Sequence, residues 1–596
     1  MAFKRKNKQD GQTSTRPRFE SETEGFRPLK TWLVLTVVLL LLIHIGLAFF
    51  SLKDKSPTVD EFAHLTAGAY YLKTGDFSLY GKNPPLAKLW CGWPLLAAGA
   101  KVRGEPSFHE AGDWRPWIYG TQFMRDNPEQ YHRLFIYGRL PNLLFSACLG
   151  LVVFFWAQAL FGPRGGLIAL LVYSLSPNML GHARLVTPDL SLSLFTTLTL
   201  FLLWRFYKRP AVGSATLTGL SLGMALLSKF TGLLLLPLFL ILYFVEIAFR
   251  PAGQKKIFAT KGAAGLVAAC LIALLVLNIG YGLRETPTNV RQMPVGSRFF
   301  QGISQSPLSA FPWPVPQDYL EGFDRQQRDV EEGVFPNYLN GRFSQEGWWY
   351  YFSYAWLLKT PLAVQIALLL ALGLWGWDRF RGLKNIAYLL FPVVLLWVIL
   401  SFFNNINAGL RYLLPAFPLI FVFIGSLGRF QLGPRLFKRI LVVFLIGLFL
   451  ADSLMAFPHY LAYFNPVFTS RSKARFHLID SNLDWGQDLK HLKTFMDRQG
   501  LDKITLAYFG HADPKIYGID FDMASNIPAE APLAASVNLV MGLPYPATYV
   551  DPPVWITPET LAWLRDRKPD AQVGYSILIY NLENLTRRNI TNISRT

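Results

Sequence analysis

Residues 32–50 read WLVLTVVLLLLIHIGLAFF, without a charged side chain, and shortly beyond them stand Asp60-Glu61. About 20 apolar residues span a bilayer as one helix, so this run predicts a first membrane span. Its length and its ending in Phe49-Phe50-Ser51-Leu52-Lys53 argue against a cleaved signal peptide. Lys4, Arg5, Lys6, Lys8, Arg16, Arg18, Arg27 and Lys30 precede it. Basic residues are retained on the cytoplasmic side, so Asp60-Glu61 is expected outside, at a membrane surface.

The pattern repeats along the chain. Further apolar runs, such as 262–281 and 440–457, follow in a sequence that is 52% hydrophobic and 16% charged. The expected fold class is mainly α: a polytopic helical membrane protein with about 11 transmembrane helices. The alternation of a membrane barrel is absent. The net charge of +19 gathers in short gaps between runs, at Arg205-Lys208-Arg209, Arg250-Lys255-Lys256-Lys261, Arg379-Arg381-Lys384 and Arg429-Arg435-Lys438-Arg439. That placement sets topology and excludes a nucleic-acid partner.

Threading these signs gives spans at 32–50, 134–160, 167–183, 190–204, two within 212–249, then 262–283, 358–377, 386–403, 412–428 and 440–457. Gly162-Pro163-Arg164-Gly165-Gly166 reads as a tight turn, and 86–100 as a short interfacial segment. The domains are expected as a cytoplasmic basic N-terminus, 1–31; a transmembrane domain, 32–457, with outer loops 51–133 and 284–357; and an extracytoplasmic C-terminal α/β domain, 458–596. The last is expected to hold an amphipathic helix from Trp485 to Arg498 and strands at Ile504–Phe509 and Ala535–Met541. Cys91, Cys148 and Cys270 lack ligand spacing and read as small apolar residues.

Acids and bases at the outer ends of spans mark candidate chemistry, because charge at membrane depth is costly. Asp60 is the candidate base, Glu61 a partner that orients a neighbour, and Asp189 a holder of acceptor or metal. Thr58 and Glu61 also fit a capping box that simply opens a helix. The cations Lys82, Arg139, Arg184, Lys229 and Arg411 are candidates for a phosphate; Arg411 is the most informative, since it sits on an outer loop against the positive-inside bias. His64 and His182 have no metal-ligand spacing, and Asp480-Ser481-Asn482-Leu483-Asp484 lacks that of a calcium loop. No cofactor is required by this reading, though a divalent metal near Asp60/Asp189 has to be tested. Asn584, Asn589 and Asn592 stand in Asn-x-Ser/Thr triplets.

Four stretches resemble the protein O-mannosyltransferases, in order. They are Asp60-Glu61 to Pro84-Pro85-Leu86, Gly138-Arg139-Leu140-Pro141, Ala183-Arg184-Leu185-Val186-Thr187-Pro188-Asp189, and Gly219 to Gly232 around Lys229. The resemblance covers roughly residues 55–235. It implies a type C glycosyltransferase of family 39 or its bacterial relatives, which include the lipid A aminoarabinose transferases. Those enzymes take sugar from a polyprenyl-phosphate-linked donor. The implied partners are such a donor, a lipid, glycan or protein acceptor, and membrane lipids. The implied location is the bacterial plasma (inner) membrane, and the implied reaction an inverting transfer at its outer face. Two departures stand out. Asn83 replaces the family's His before Pro-Pro-Leu, with Lys82 ahead of it, and loop 284–357 is too short for the β-trefoil of eukaryotic members. A transporter or flippase, or a non-catalytic binder of lipid-linked glycans, is the alternative; a transporter would favour inverted repeats and midplane charges.

Overall fold

The computed structural model describes residues 30–104, 109–333, 336–429, 435–524 and 532–581. The basic N-terminal cluster up to Arg27 and the triplets at Asn584, Asn589 and Asn592 lie outside them.

The molecule is mainly helical, and a mixed sheet forms its C-terminal part. Six described helices are long and apolar enough to cross a membrane, or seven if one bent pair counts as a span. The chain is thus a polytopic helical membrane protein. The first helix, Thr31–Leu52, matches the opening run. The longest, Tyr131–Leu175, is really a hairpin. Gly162 inside it takes φ 80°, ψ 178°. A Cβ on Gly166 would lie 3.0 Å from the carbonyl oxygen of Phe154, and the Ser146 hydroxyl lies 2.7 Å from that of Tyr173. In a straight helix, residues that far apart could not meet, at about 1.5 Å of rise each. The expected turn at Gly162 therefore separates two antiparallel arms.

Three expectations are corrected. Span 358–377 is not one helix: Tyr351–Lys359 and Leu362–Trp377 meet at 113°. Pro361 forces Thr360 into extended backbone (φ −101°, ψ 132°), which ends the first helix. The amphipathic helix begins at Leu489, not Trp485, and ends at Gln499. Side chains pre-empt its first turn: the Trp485 amide donates to Gln487 Oε1 (2.7 Å) and the Gly486 amide to Asp484 Oδ1 (3.1 Å). The strand expected over Ala535–Met541 stops at Ser536, and Val537–Val540 turns into a short helix. That turn lets Asn538 tie down the Asp480 amide and the Asp484 carbonyl.

The C-terminal sheet runs in the order Ala571–Val573, Ile577–Tyr580, Leu533–Ser536, Lys503–Ala507, Asp520–Met523. Lys503–Ala507 is parallel to both its neighbours, and Ile577–Tyr580 is antiparallel to both of its own. The loop ahead of this sheet docks on the segment between the first two helices. Ser56 N donates to Gln487 O (3.0 Å), Val59 N to Trp485 O (3.0 Å) and Leu489 N to the Ser56 hydroxyl (3.1 Å). Asp60 thus lies where the membrane helices meet the C-terminal part.

Candidate functional site

The helix Val59–Thr74 begins with the expected box. Thr58 accepts from the Glu61 amide, and Glu61 Oε2 accepts from the Thr58 amide at 3.0 Å. The helix lies tight on the helix Leu86–Ala97, since a Cβ on Gly92 would sit 2.6 Å from the Gly68 backbone. Asp60 and Glu61 then point in directions about 100° apart.

Glu61 points inward. It is fully buried, and Arg139 grips it in a fork, with Nε at 2.8 Å and Nη2 at 2.7 Å. The Val186 amide adds a bond at 3.0 Å. Arg139 spends its remaining donors on the carbonyls of Leu52, Lys55 and Ser56 (3.2, 2.8 and 3.0 Å). Burial alone would push the Glu61 carboxyl up, but Arg139 and these amides hold it below the usual range. This cluster fastens three segments together; it does not bring Arg139 to a ligand.

Asp60 faces a different side of the helix. Its Oδ2 lies 2.6 Å from Arg411 Nη1, and its side chain is 21% exposed. The same guanidinium nitrogen stands 4.0 Å from Asp189 Oδ2, and Asp189 Oδ1 accepts from Lys229 at 2.8 Å. Four of the residues named from the sequence thus alternate in sign: Asp60, Arg411, Asp189, Lys229. Aromatic faces back the cations. Arg411 lies over Trp485 at 4.3 Å, and Lys229 over Tyr412 at 4.4 Å. His64 sits on Tyr80 at 4.9 Å with both ring nitrogens buried and unbonded.

A narrow crevice continues from Arg411, lined by Asn178, His182, Lys359, Ser481 and Asn482. Lys359 is 3% exposed, and its ammonium donates to the carbonyls of Leu461 and Asn482. Asp480 stands nearby; burial pushes it up to about 6, eased by Arg411 and reinforced by Asp60.

The other named cations lie elsewhere. Lys82 pairs with Asp329 (2.7 Å) and Asp113 (3.1 Å). Arg184 is buried and donates to the Ser51 carbonyl. Lys359 and Trp485 were missed: the first is hidden in an apolar run, and the second reads as the start of a helix. The order Lys359-Thr360-Pro361 was the available signal, since Pro361 ends the helix and leaves Lys359 at its tip.

Between Asp60 and Asp189, Arg411 and Lys229 balance the two carboxylates in charge, while Asp189 Oδ2 is buried without a hydrogen-bond partner among the described residues. Among the described residues, His459, Asp488 and His491 bring ligand atoms within 4.8 Å of one another. The Lys55 ammonium contacts both Asp488 and His459 there, so that cluster already holds a cation.

Residues 135–279 match the family model described as dolichyl-phosphate-mannose-protein mannosyltransferase. This is the family the motifs resemble, and the matched stretch includes Arg139, Arg184, Asp189 and Lys229. No curated protein sequence matches the chain. Among solved structures, ArnT from Cupriavidus metallidurans bound to undecaprenyl phosphate aligns at 13% identity and TM-score 0.47, over 88% of this chain and 98% of that one. The Pmt1-Pmt2 protein O-mannosyltransferase complex of S. cerevisiae bound to the sugar donor aligns at 17% identity and TM-score 0.32, over 44% and 35%. The Archaeoglobus fulgidus oligosaccharyltransferase aligns at 10% identity and TM-score 0.47, over 86% and 70%.

Proposed function

We propose that the chain is a membrane glycosyltransferase that moves a sugar from a polyprenyl-phosphate donor to a hydroxyl acceptor at the outer face. The observation that carries this reading is the row Asp60, Arg411, Asp189, Lys229 at one end of the helices. The family match over 135–279 supports the reaction class. Sugar transfer from a phosphate needs a base for the acceptor, negative charge beside the oxocarbenium-like centre and cations for the leaving group.

In this reading Asp60 takes the proton of the acceptor hydroxyl. The acceptor oxygen bonds to the sugar's anomeric carbon as the carbon–oxygen bond to phosphate breaks. The phosphate leaves with the electron pair and meets Arg411 and Lys229. One displacement inverts the anomeric centre. The donor phosphate competes with Asp60 for Arg411, which frees the carboxylate for the acceptor. Asp189 keeps Lys229 and Arg411 charged and spaced. Glu61 and Arg139 are positioning residues that fix the first turn carrying Asp60. Lys82 and Arg184 serve the surrounding loops rather than the phosphate.

The test is mass analysis of lipid-linked glycans in a strain lacking the gene. The expected result is a species one sugar short, restored by the wild-type chain and not by Asp60→Asn. Restoration by Asp60→Asn would reject the catalytic reading in favour of a binder or carrier.

A further inference from the structure

At the end of the helices opposite Asp60 lies a cavity of about 330 Å³. It is walled by the Gly162 end of the hairpin, the turn joining Leu362–Trp377 to Leu383–Phe402, and the end of helix Ala416–Ile424. Its lining includes Trp375, Trp377, Asp378, Arg381, Ser426 and Arg429.

Three observations give this cavity a chemistry. First, two arginines and one carboxylate leave one net positive charge, and Arg381 and Asp378 both lie within electrostatic reach of Arg429. Secondly, Ser426 is only 5% exposed and its hydroxyl has no hydrogen-bond partner among the described residues, although it lines the cavity. A buried hydroxyl without a partner is uncommon and calls for an explanation. Thirdly, the turn is held in a costly shape. Arg379 and Phe380 have φ of 50° and 56°, and Gly382 follows at 75°. Trp375 fixes it, donating from Nε1 to the Arg381 carbonyl (3.1 Å) and meeting Phe380 edge-on at 4.9 Å. Unfavourable backbone kept this way points to a role for the residue it presents.

A polar turn between two apolar helices sits at the bilayer interface, and Trp377, 89% exposed, is an interfacial residue type. The ligand available there in quantity is a lipid headgroup. We propose that this cavity binds the phosphodiester headgroup of an anionic phospholipid, with Arg381 and Arg429 on the phosphate and the Ser426 hydroxyl donating to it. The net single positive charge matches a monoanionic diester. Basic pockets between membrane helices bind anionic headgroups on the same physical grounds. The site is separate from the row at Asp60 and does not depend on the transferase reading.

The test uses the full chain in phosphatidylcholine nanodiscs containing a small fraction of phosphatidylglycerol, with native mass spectrometry counting retained lipid. One phosphatidylglycerol is expected to be retained in preference to phosphatidylcholine. Arg381→Gln with Arg429→Gln should weaken retention about thirtyfold, taking about 1 kcal/mol for each basic residue at the surface. Both arginines are exposed, so the variant should fold. Ser426→Ala should weaken retention by a smaller factor. Lys255→Gln with Lys256→Gln, which removes the same charge from the exposed start of helix Ala252–Gly280, should leave it unchanged. No preference for phosphatidylglycerol, or equal loss in the control pair, would overturn the proposal. So would displacement by millimolar glycerol 3-phosphate, which would make this a soluble-anion site.

Discussion

Asp60 and Glu61 are adjacent carboxylates on one helical turn, yet they live in opposite regimes. Glu61 has no exposed surface and is met by an arginine whose donors are all engaged. Asp60 is partly exposed, bound through one oxygen to an arginine that also faces Asp189. A saturated ion pair in the interior holds geometry and resists exchange; a partly exposed, shared one can trade partners. The difference separates a structural clamp from a candidate site more sharply than residue type does. The acidic pair alone says nothing about which carboxylate does which.

The largest expected effect is on rate. Asp60→Asn should lower transfer by about 10²–10⁴-fold, the range for losing a general base, while thermal unfolding stays near wild type. Single-turnover transfer from a polyprenyl-phosphate sugar, measured beside the melting temperature, reads both. An Asp60→Asn chain that turns over normally would break the comparison. Glu61→Gln should invert the pattern. It strands the buried Arg139 charge, so unfolding should cost about 3–5 kcal/mol less, and any loss of activity should follow loss of fold. Glu61→Leu with Arg139→Met should recover much of that stability, because an apolar pair of similar size leaves no stranded ion.

The clamp also has a pH signature. Glu61 is held below its unfolded value of 4.5, so its contribution to stability is complete above about pH 4.5 and is lost as pH falls through the folded value. Thermal unfolding of wild type against Glu61→Gln should therefore show a constant gap above about pH 4.5 that closes as pH is taken down to about 2. A gap that widens as pH falls would mean the carboxyl is not held ionised by Arg139.

How much of this the sequence carried depends on range. The first span, the hairpin at Gly162 and the capping box at Thr58 are local, and local signals such as apolar length, glycine punctuation and cap spacing foretell them. The mainly helical fold and the C-terminal sheet followed from the same kind of signal. The fork between Glu61 and Arg139 joins residues far apart in the chain, and no periodicity predicts which arginine meets which acid. Arg139 and Arg411 look alike in sequence: each is an arginine at the outer end of a predicted span. Only the packing of Leu52, Lys55 and Ser56 carbonyls around Arg139 tells them apart. The Trp485 turn was obscured because its helical pattern is real from Leu489 onward, while side-chain bonds from Asp484 and Gln487 undo the residues before it.

Arg411→Ala sharpens the contrast from the cationic side. A charge-assisted hydrogen bond contributes about 1.5–3 kcal/mol, so affinity for polyprenyl phosphate should fall roughly 10- to 150-fold. Arg139→Lys should leave binding per folded molecule unchanged while lowering the melting temperature, since lysine cannot reproduce the fork. Equal affinity losses in the two variants would mean the clamp and the crevice are one site.

The smallest expected effect comes from a third carboxylate. Asp484 is as buried as Glu61 but has no facing arginine among the described residues; burial pushes it up to about 8, partly offset by the Gly486 amide and reinforced by Asp488. At neutral pH it is therefore mostly protonated, and Asn has nearly its shape and polarity. Asp484→Asn should change stability at pH 7 by about 1 kcal/mol or less, where Glu61→Gln costs several times more. The sign with pH also reverses. A raised carboxyl weakens the fold as pH climbs from the unfolded value of 3.8 through about 8, so the variant should gain on wild type toward alkaline pH. A large loss at pH 7 would mean that Asp484 is ionised and has a cationic partner. Burial with an arginine would then no longer distinguish the Glu61 clamp from the other buried acids of this molecule.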